Sequence, residues 1–228
     1  MKLLSKTFAA ASLAGAALVA GPAVAQVNGT IAVVNPPATI AGSSAFSAAY
    51  QQINTTYASQ ITQIQQKQQQ AQTLIQQLDT NSDGNLDQAE QQAAQNAPQA
   101  QQIQTLEREI GQLQNQVESA RVYAIEQILQ QYSAALQTVT TADNIQVVLS
   151  PEAVTWSAPA ANINQKVVAA LNSRVPSVQI TPPQGWQPSQ QAVGVYQQVQ
   201  QILMVAASRQ QAAGQQQPQQ QPAQPTGR

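Results

Sequence analysis

The chain has 228 residues, with nine basic and ten acidic side chains, no Cys and no His. That inventory removes disulfides, thiolate nucleophiles and imidazole bases. With no Ser-x-x-Lys spacing at any lysine, it argues against an enzyme, and the balanced charge argues against nucleic acid as a partner.

Residues 1–25 read as a secretory signal peptide: Lys2 and Lys6, then the apolar run from Phe8 to Ala20, Pro22, and Ala23-Val24-Ala25 before Gln26. The run is shorter than the ~20 residues a membrane span needs. Its removal leaves seven basic against ten acidic side chains. Gln makes up about a fifth of the chain, against a usual few per cent. Gln is a good helix former and polar without charge, so Gln-rich stretches suit solvated helical faces.

Residues 27–34 predict a strand through Val27, Ile31, Val33 and Val34, stopped by Pro36-Pro37. A loop follows over 41–44, where Ser43 or Ser44 caps the next helix. From Ala45 to Leu78 the spacing predicts one long helix. Phe46, Tyr50, Ile53, Tyr57, Ile64, Ala71, Leu74 and Leu78 fall on an a/d seam, with Gln60 and Lys67 as polar interruptions. After a polar loop and the break at Asn96-Ala97-Pro98, a second long helix runs from about Gln99 to Thr141. Its seam is Ile103, Leu106, Ile110, Leu113 and Val117, drifting by one position to Ile125, Ile128, Tyr132 and Leu136. Two such helices make an antiparallel hairpin over 45–141, a projecting arm rather than a core.

Beyond the arm, residues 145–149 and 153–156 predict two short strands around Ser150-Pro151-Glu152. Asn162 is placed to cap an amphipathic helix carrying Val167, Val168 and Leu171. Residues 26–44 and 142–180 then form one small β-containing body, too small for a comfortable core of its own, which favours self-association. Residues 181–209 hold a Pro-containing connector and a further helix from Gln190 to Ser208, and 210–228 is a Gln/Pro-rich tail expected to be disordered. The fold class is α+β, mainly α.

The loop between the arm helices has its own chemistry. Residues 79–90 fit the twelve-residue EF-hand pattern. Asp79, Asn81 and Asp83 stand at positions 1, 3 and 5, and Gly84 at the sharp turn. Asn85 would offer its carbonyl, Asp87 a water, and Glu90 a bidentate carboxylate. Four of the ten acidic residues lie here. The expectation is a weak Ca²⁺ site, since EF-hands usually pair and this chain has one. The plainer reading is a solvated Asp/Asn/Gly turn between helices.

The run Asn144-Ile145-Gln146-Val147-Val148-Leu149-Ser150-Pro151-Glu152-Ala153-Val154 is similar to the strand–turn–strand that follows the arm in the Skp/OmpH family of periplasmic chaperones. Ile31-Ala32-Val33-Val34-Asn35 resembles that family's first strand, and Asn162-Ile163-Asn164 with the following helix resembles the close of its body. The resemblance runs from about residue 27 to about residue 177. It implies a soluble periplasmic homotrimer whose arms enclose unfolded outer membrane proteins and hold them without ATP. This chain departs from the family in its lack of strong basic charge, which leaves contact with a membrane open. Phe46, Tyr50 and Tyr57 are candidates to touch clients, although their a/d spacing also makes them seam residues. The alternative is a Ca²⁺-binding envelope scaffold whose coiled-coil arm pairs with one folded partner.

Overall fold

The computed structural model describes residues 29–215; the expected signal peptide at 1–25 lies outside them. In chain order the elements are β1 (Thr30–Val33), α1 (Pro36–Ala41), α2 (Ser44–Thr56), α3 (Ala58–Leu78), α4 (Gln88–Ala94) and α5 (Pro98–Ala142). They are followed by β2 (Ile145–Leu149), α6 (Asn164–Arg174) and α7 (Gln190–Gln215). The fold is mainly helical with one small sheet. β1 and β2 pair in parallel, with Ile31 opposite Val147, Ala32 opposite Val148 and Val33 opposite Leu149. Parallel neighbours need a crossover, and here the entire arm is that crossover.

The arm is α3 laid against the first half of α5, with α4 and the loop before it at the tip. α5 is one unbroken helix of 45 residues, about 70 Å at 1.5 Å per residue. Pro98 is tolerated at its first position, where its missing N–H has no intrahelical partner to lose. The polar interruption at Lys67 is resolved across the arm, where its ammonium meets Glu109 of α5 at 2.6 Å.

The core lies where the other end of α5 enters the body. Ile125 and Ile128 are fully buried there with Ile40 of α1, Phe46 of α2, Val167 and Leu171 of α6, and Val199 of α7. A second cluster at the arm root joins Ala49 and Ile53 of α2 to Val117, Ala120 and Ala124 of α5. Polar side chains fix the order of packing. The Asn35 side chain accepts from Ala38 N at 3.0 Å, while the Asn35 amide donates to Asn164 Oδ1 at 2.8 Å. Ser43 caps α2, and the Ser44 amide and hydroxyl both donate to Asn172 Oδ1 of α6.

Several expectations are corrected. Pro36-Pro37 ends the strand but also opens α1, because fixed φ suits the first turn of a helix, so the loop over 41–44 shrinks to Gly42 and Ser43. The single helix over 45–78 is divided at Tyr57. Just before the break, the Thr55 hydroxyl donates back to Gln51 O at 3.1 Å, a contact that Thr62 and Thr73 also make within unbroken α3. Residues 153–156 are not a strand. Pro151 starts a tight 3₁₀ turn whose carbonyls take the Ala153 and Val154 amides, and Trp156 stands 82% exposed beyond it. The place beside β1 holds only one parallel bridge, from Val33 to Asn162. Asn162 does cap α6 as expected: it stands just before Ile163, and its side chain accepts from Asn164 N at 2.9 Å. α7 continues past Ser208 to Gln215, so residues 210–215 are helical rather than disordered; 216–228 lie outside the described residues. Ala192 and Val199 of α7 are fully buried, which makes this helix part of the body.

Burial and exposure separate two substitutions. Ile125→Ala removes most of a fully buried side chain and is expected to cost about 2–5 kcal/mol. Lys67→Ala breaks a partly exposed ion pair and is expected to cost no more than about 1 kcal/mol. Urea denaturation of both proteins measures the difference.

Candidate functional site

The arm presents two surfaces of different character: the polar loop at its tip, and uncharged clefts along its length. The loop follows α3 directly. Asp79 ends that helix, and its carboxylate accepts from Asp83 N at 3.2 Å and Gly84 N at 2.8 Å. Asn81 Oδ1 accepts from Asp83 N at 2.9 Å, and Asp83 Oδ1 accepts from Asn85 N at 2.8 Å. Gly84 has φ +85°, which glycine adopts without a Cβ penalty. Asp87 and Glu90 form a capping box on α4, each side chain accepting from the other's amide, at 2.9 and 3.0 Å.

Glu90 closes the loop. Its other carboxylate oxygen accepts from Thr80 N at 2.7 Å, the Thr80 hydroxyl at 2.8 Å and Asn81 N at 3.1 Å. Only 6% of the residue is exposed. The Thr80 hydroxyl, then the Asp87 amide, hold the Glu90 carboxyl below the usual carboxylate range. The side chains of Asp79, Asn81, Asp83 and Glu90 offer oxygen, the donor chemistry a hard cation takes. As placed, however, they serve backbone amides, and among the described residues no three Asp, Glu, His or Cys side chains converge as a metal-holding group. Asn85 and Asp87 are exposed.

Between α3 and α5 near the tip, a cleft of about 750 Å³ is lined by Leu74, Pro98, Leu106, Thr73, Thr105 and several Gln side chains. None of them is charged. A second cleft of about 430 Å³ opens at the arm root beside Tyr57, Ser119 and Pro182. Of the three aromatic residues singled out in the sequence, Tyr57 alone lines an open cleft. Phe46 is buried in the core, its ring 4.0 Å from that of Tyr50. Tyr50 is half-buried, with its hydroxyl accepting from Gln200 of α7, and burial raises its pKa well above the ordinary tyrosine value.

Sequence reasoning missed a third feature. The connector from Val175 to Ser189 is laid along α5 and held by Gln127 and Glu126. Neither residue is distinguishable in sequence from the other polar positions of that helix. Also among the described residues, no helix is long and apolar enough to cross a membrane.

A family model described as outer membrane protein (OmpH-like) matches residues 30–171. No curated protein matches the chain. Among solved structures, the chain is similar to that of a candidate outer membrane chaperone (OmpH-like) from Caulobacter crescentus CB15. The two are 23% identical, with 73% of this chain and 96% of that one covered, at a TM-score of 0.44.

The Glu90 geometry has a pH signature. A carboxyl whose folded pKa lies below its ordinary value of 4.5 stabilises the closed loop above that value, and the contribution is lost as pH falls through the lowered one. The Thr80 and Asn81 amide resonances are expected to titrate with a midpoint below 4.5. In Glu90→Gln this titration is expected to vanish, as an NMR pH series would record.

Proposed function

The chain belongs to the OmpH-like outer membrane protein family, and from that premise we propose that it is a periplasmic holdase for unfolded outer membrane proteins. The observation that carries this reading is the extent of the family match. It spans the first strand, the whole arm and α6 up to Leu171, so arm and body are matched as one unit. The mechanism is capture without nucleotide. The clefts at Leu74 and Leu106 and at Tyr57 offer small apolar contacts between uncharged polar side chains. Each is weak, and several presented together raise the effective affinity through avidity.

Three copies acting together would supply that avidity, and the body supports such an assembly. A sheet of two strands is marginal alone, and an unpaired strand edge invites another chain. Ile31, on β1, is 48% exposed, and the Trp156 side chain stands free on the turn after β2. A homotrimer that shares these strands would cover them.

The tip loop is the second part of the proposal. Ca²⁺ would be held by the carboxylates of Asp79 and Asp83, the Asn81 amide oxygen, the Asn85 carbonyl and the Glu90 carboxylate, with Asp87 acting through a water. The ion would offset half the charge of the four clustered acids and fix the angle between α3 and α4. Binding competes with the hydrogen bonds Glu90 accepts from Thr80 and Asn81, which points to weak affinity, on the order of 10⁻⁴ M or weaker.

Light scattering tests the holding activity. A urea-unfolded outer membrane barrel protein is diluted into buffer containing the mature chain, once with Ca²⁺ and once with chelator. Aggregation is expected to be suppressed, with saturation near three chains per client; undiminished scattering in both buffers would sink the reading. Calorimetric titration with Ca²⁺ is expected to show one site that Glu90→Gln removes. A flat titration of the unaltered chain would dismiss the metal and leave the holdase standing.

A further inference from the structure

The connector between α6 and α7, which lies beyond the family match, is an extended polypeptide already bound to the arm root. Residues 175–189 contain four prolines and no charge, a composition that favours extended backbone over helix. The side chain of Ile180 is buried between α2 and α5, among Ala49, Ile53, Val117, Ala120 and Ala124. Val178 packs beside it. One residue before Ile180, the Gln127 side chain grips main chain only: its Nε2 donates to Gln179 O at 2.8 Å, and its Oε1 accepts from Gln179 N at 3.0 Å. This is the pairing one strand makes with another, supplied by a side-chain amide.

Farther along, a turn returns the chain to α5. Trp186 N donates to Pro183 O at 3.0 Å, with Gly185 at φ +80°, as a type II turn requires. The Trp186 ring then meets Tyr123 edge-on at 5.1 Å. Its Nε1 donates to Glu126 Oε2 at 2.9 Å, and the other oxygen of Glu126 accepts from Ser189 N at 3.2 Å. The groove stays open on the arm side of these two anchors. The cleft beside Tyr57 opens against Pro182, so the surface continues past the connector toward the arm.

We propose that this groove on α2 and α5 is a binding surface for extended polypeptide, occupied by the chain's own connector until an unfolded client displaces it. The proposal rests on the holdase reading and adds to it a site and a restraint. The occupant is identified by what the groove recognises: an uncharged stretch with a β-branched or leucine-like residue for the Ile180 site. An aromatic residue follows about six positions on, and the backbone just before the Ile180 site is read through Gln127. Main-chain recognition of this kind is tolerant of sequence, as a holder of many clients needs. An occupied groove also lowers apparent affinity in proportion to the fraction of molecules in which it is free. The connector therefore sets how readily the arm root takes a client.

The test alters the connector and leaves the groove intact. A labelled synthetic peptide with the sequence of residues 175–189 is titrated by fluorescence anisotropy against the full mature chain, against Trp186→Ala, and against Trp186→Ala with Ile180→Asp. Loss of the Trp186 anchor, with its hydrogen bond and ring contact, is expected to tighten peptide binding about tenfold or more over the parent. A urea-unfolded outer membrane barrel protein is expected to compete the peptide off. Adding Gln127→Ala to the released chain is expected to weaken the peptide again. Hydrogen exchange of the unaltered chain gives a readout independent of variant folding: residues 175–189 are expected to exchange faster once the barrel protein is present. Failure of the peptide to bind any released chain would overturn the proposal, as would connector protection that is unchanged by client. If the peptide binds but the barrel protein does not compete, the groove serves the connector alone and the proposal falls. Light scattering on the parent decides the holdase reading separately.

Discussion

Everything in this molecule is referred to the buried face of α5. That helix runs through both arm and body, and its second half packs α1, α2, α6 and α7 around Ile125 and Ile128. The apolar contact there is what lets a helix of 45 residues project at its other end with little support. Tertiary packing, rather than propensity, stabilises most helices, and before Val117 the N-terminal part of α5 packs chiefly against α3. The two-stranded sheet follows from the same constraint. β1 and β2 lie at opposite ends of a hundred-residue excursion and pair because α5 brings Ile145 back to Thr30.

The division between arm and body also divides chemistry. Near the body, side chains bury and pair, as where Tyr50 meets Gln200 and Ser44 meets Asn172. Along the arm the charges are few, and the long polar side chains are mainly Gln. Uncharged amides donate and accept without imposing a sign on a partner. Such a surface suits occupants that share little but an exposed backbone and scattered apolar groups. The connector held by Gln127 is an instance of that chemistry within the molecule itself.

Much of this architecture was legible because periodicity survives in long elements. The seams through Ile53, Leu74, Ile103 and Ile125 place the arm helices to within a few residues, and the turn residues of 79–90 place the tip. The failures are local. The division at Tyr57 leaves the a/d spacing on either side intact, so residue spacing carries no sign of it. Ala153 to Trp156 has strand-like composition, but the proline at 151 commits the neighbouring amides to a turn. Glu90 fits a metal-ligand position and a capping position equally well, and its contacts to Thr80 and Asn81 emerge only in three dimensions. The clamp of Glu126 and Gln127 on residues more than fifty positions away leaves no local trace in a chain so rich in Gln.

As proposed, arm and body together hold an unfolded chain, with several copies around one client. Native mass spectrometry of the mature chain mixed with a urea-unfolded outer membrane barrel protein tests it most directly. The expected result is a complex whose mass corresponds to three copies and one client, alongside a free trimer. Monomers alone, with the client lost to aggregate, would contradict it.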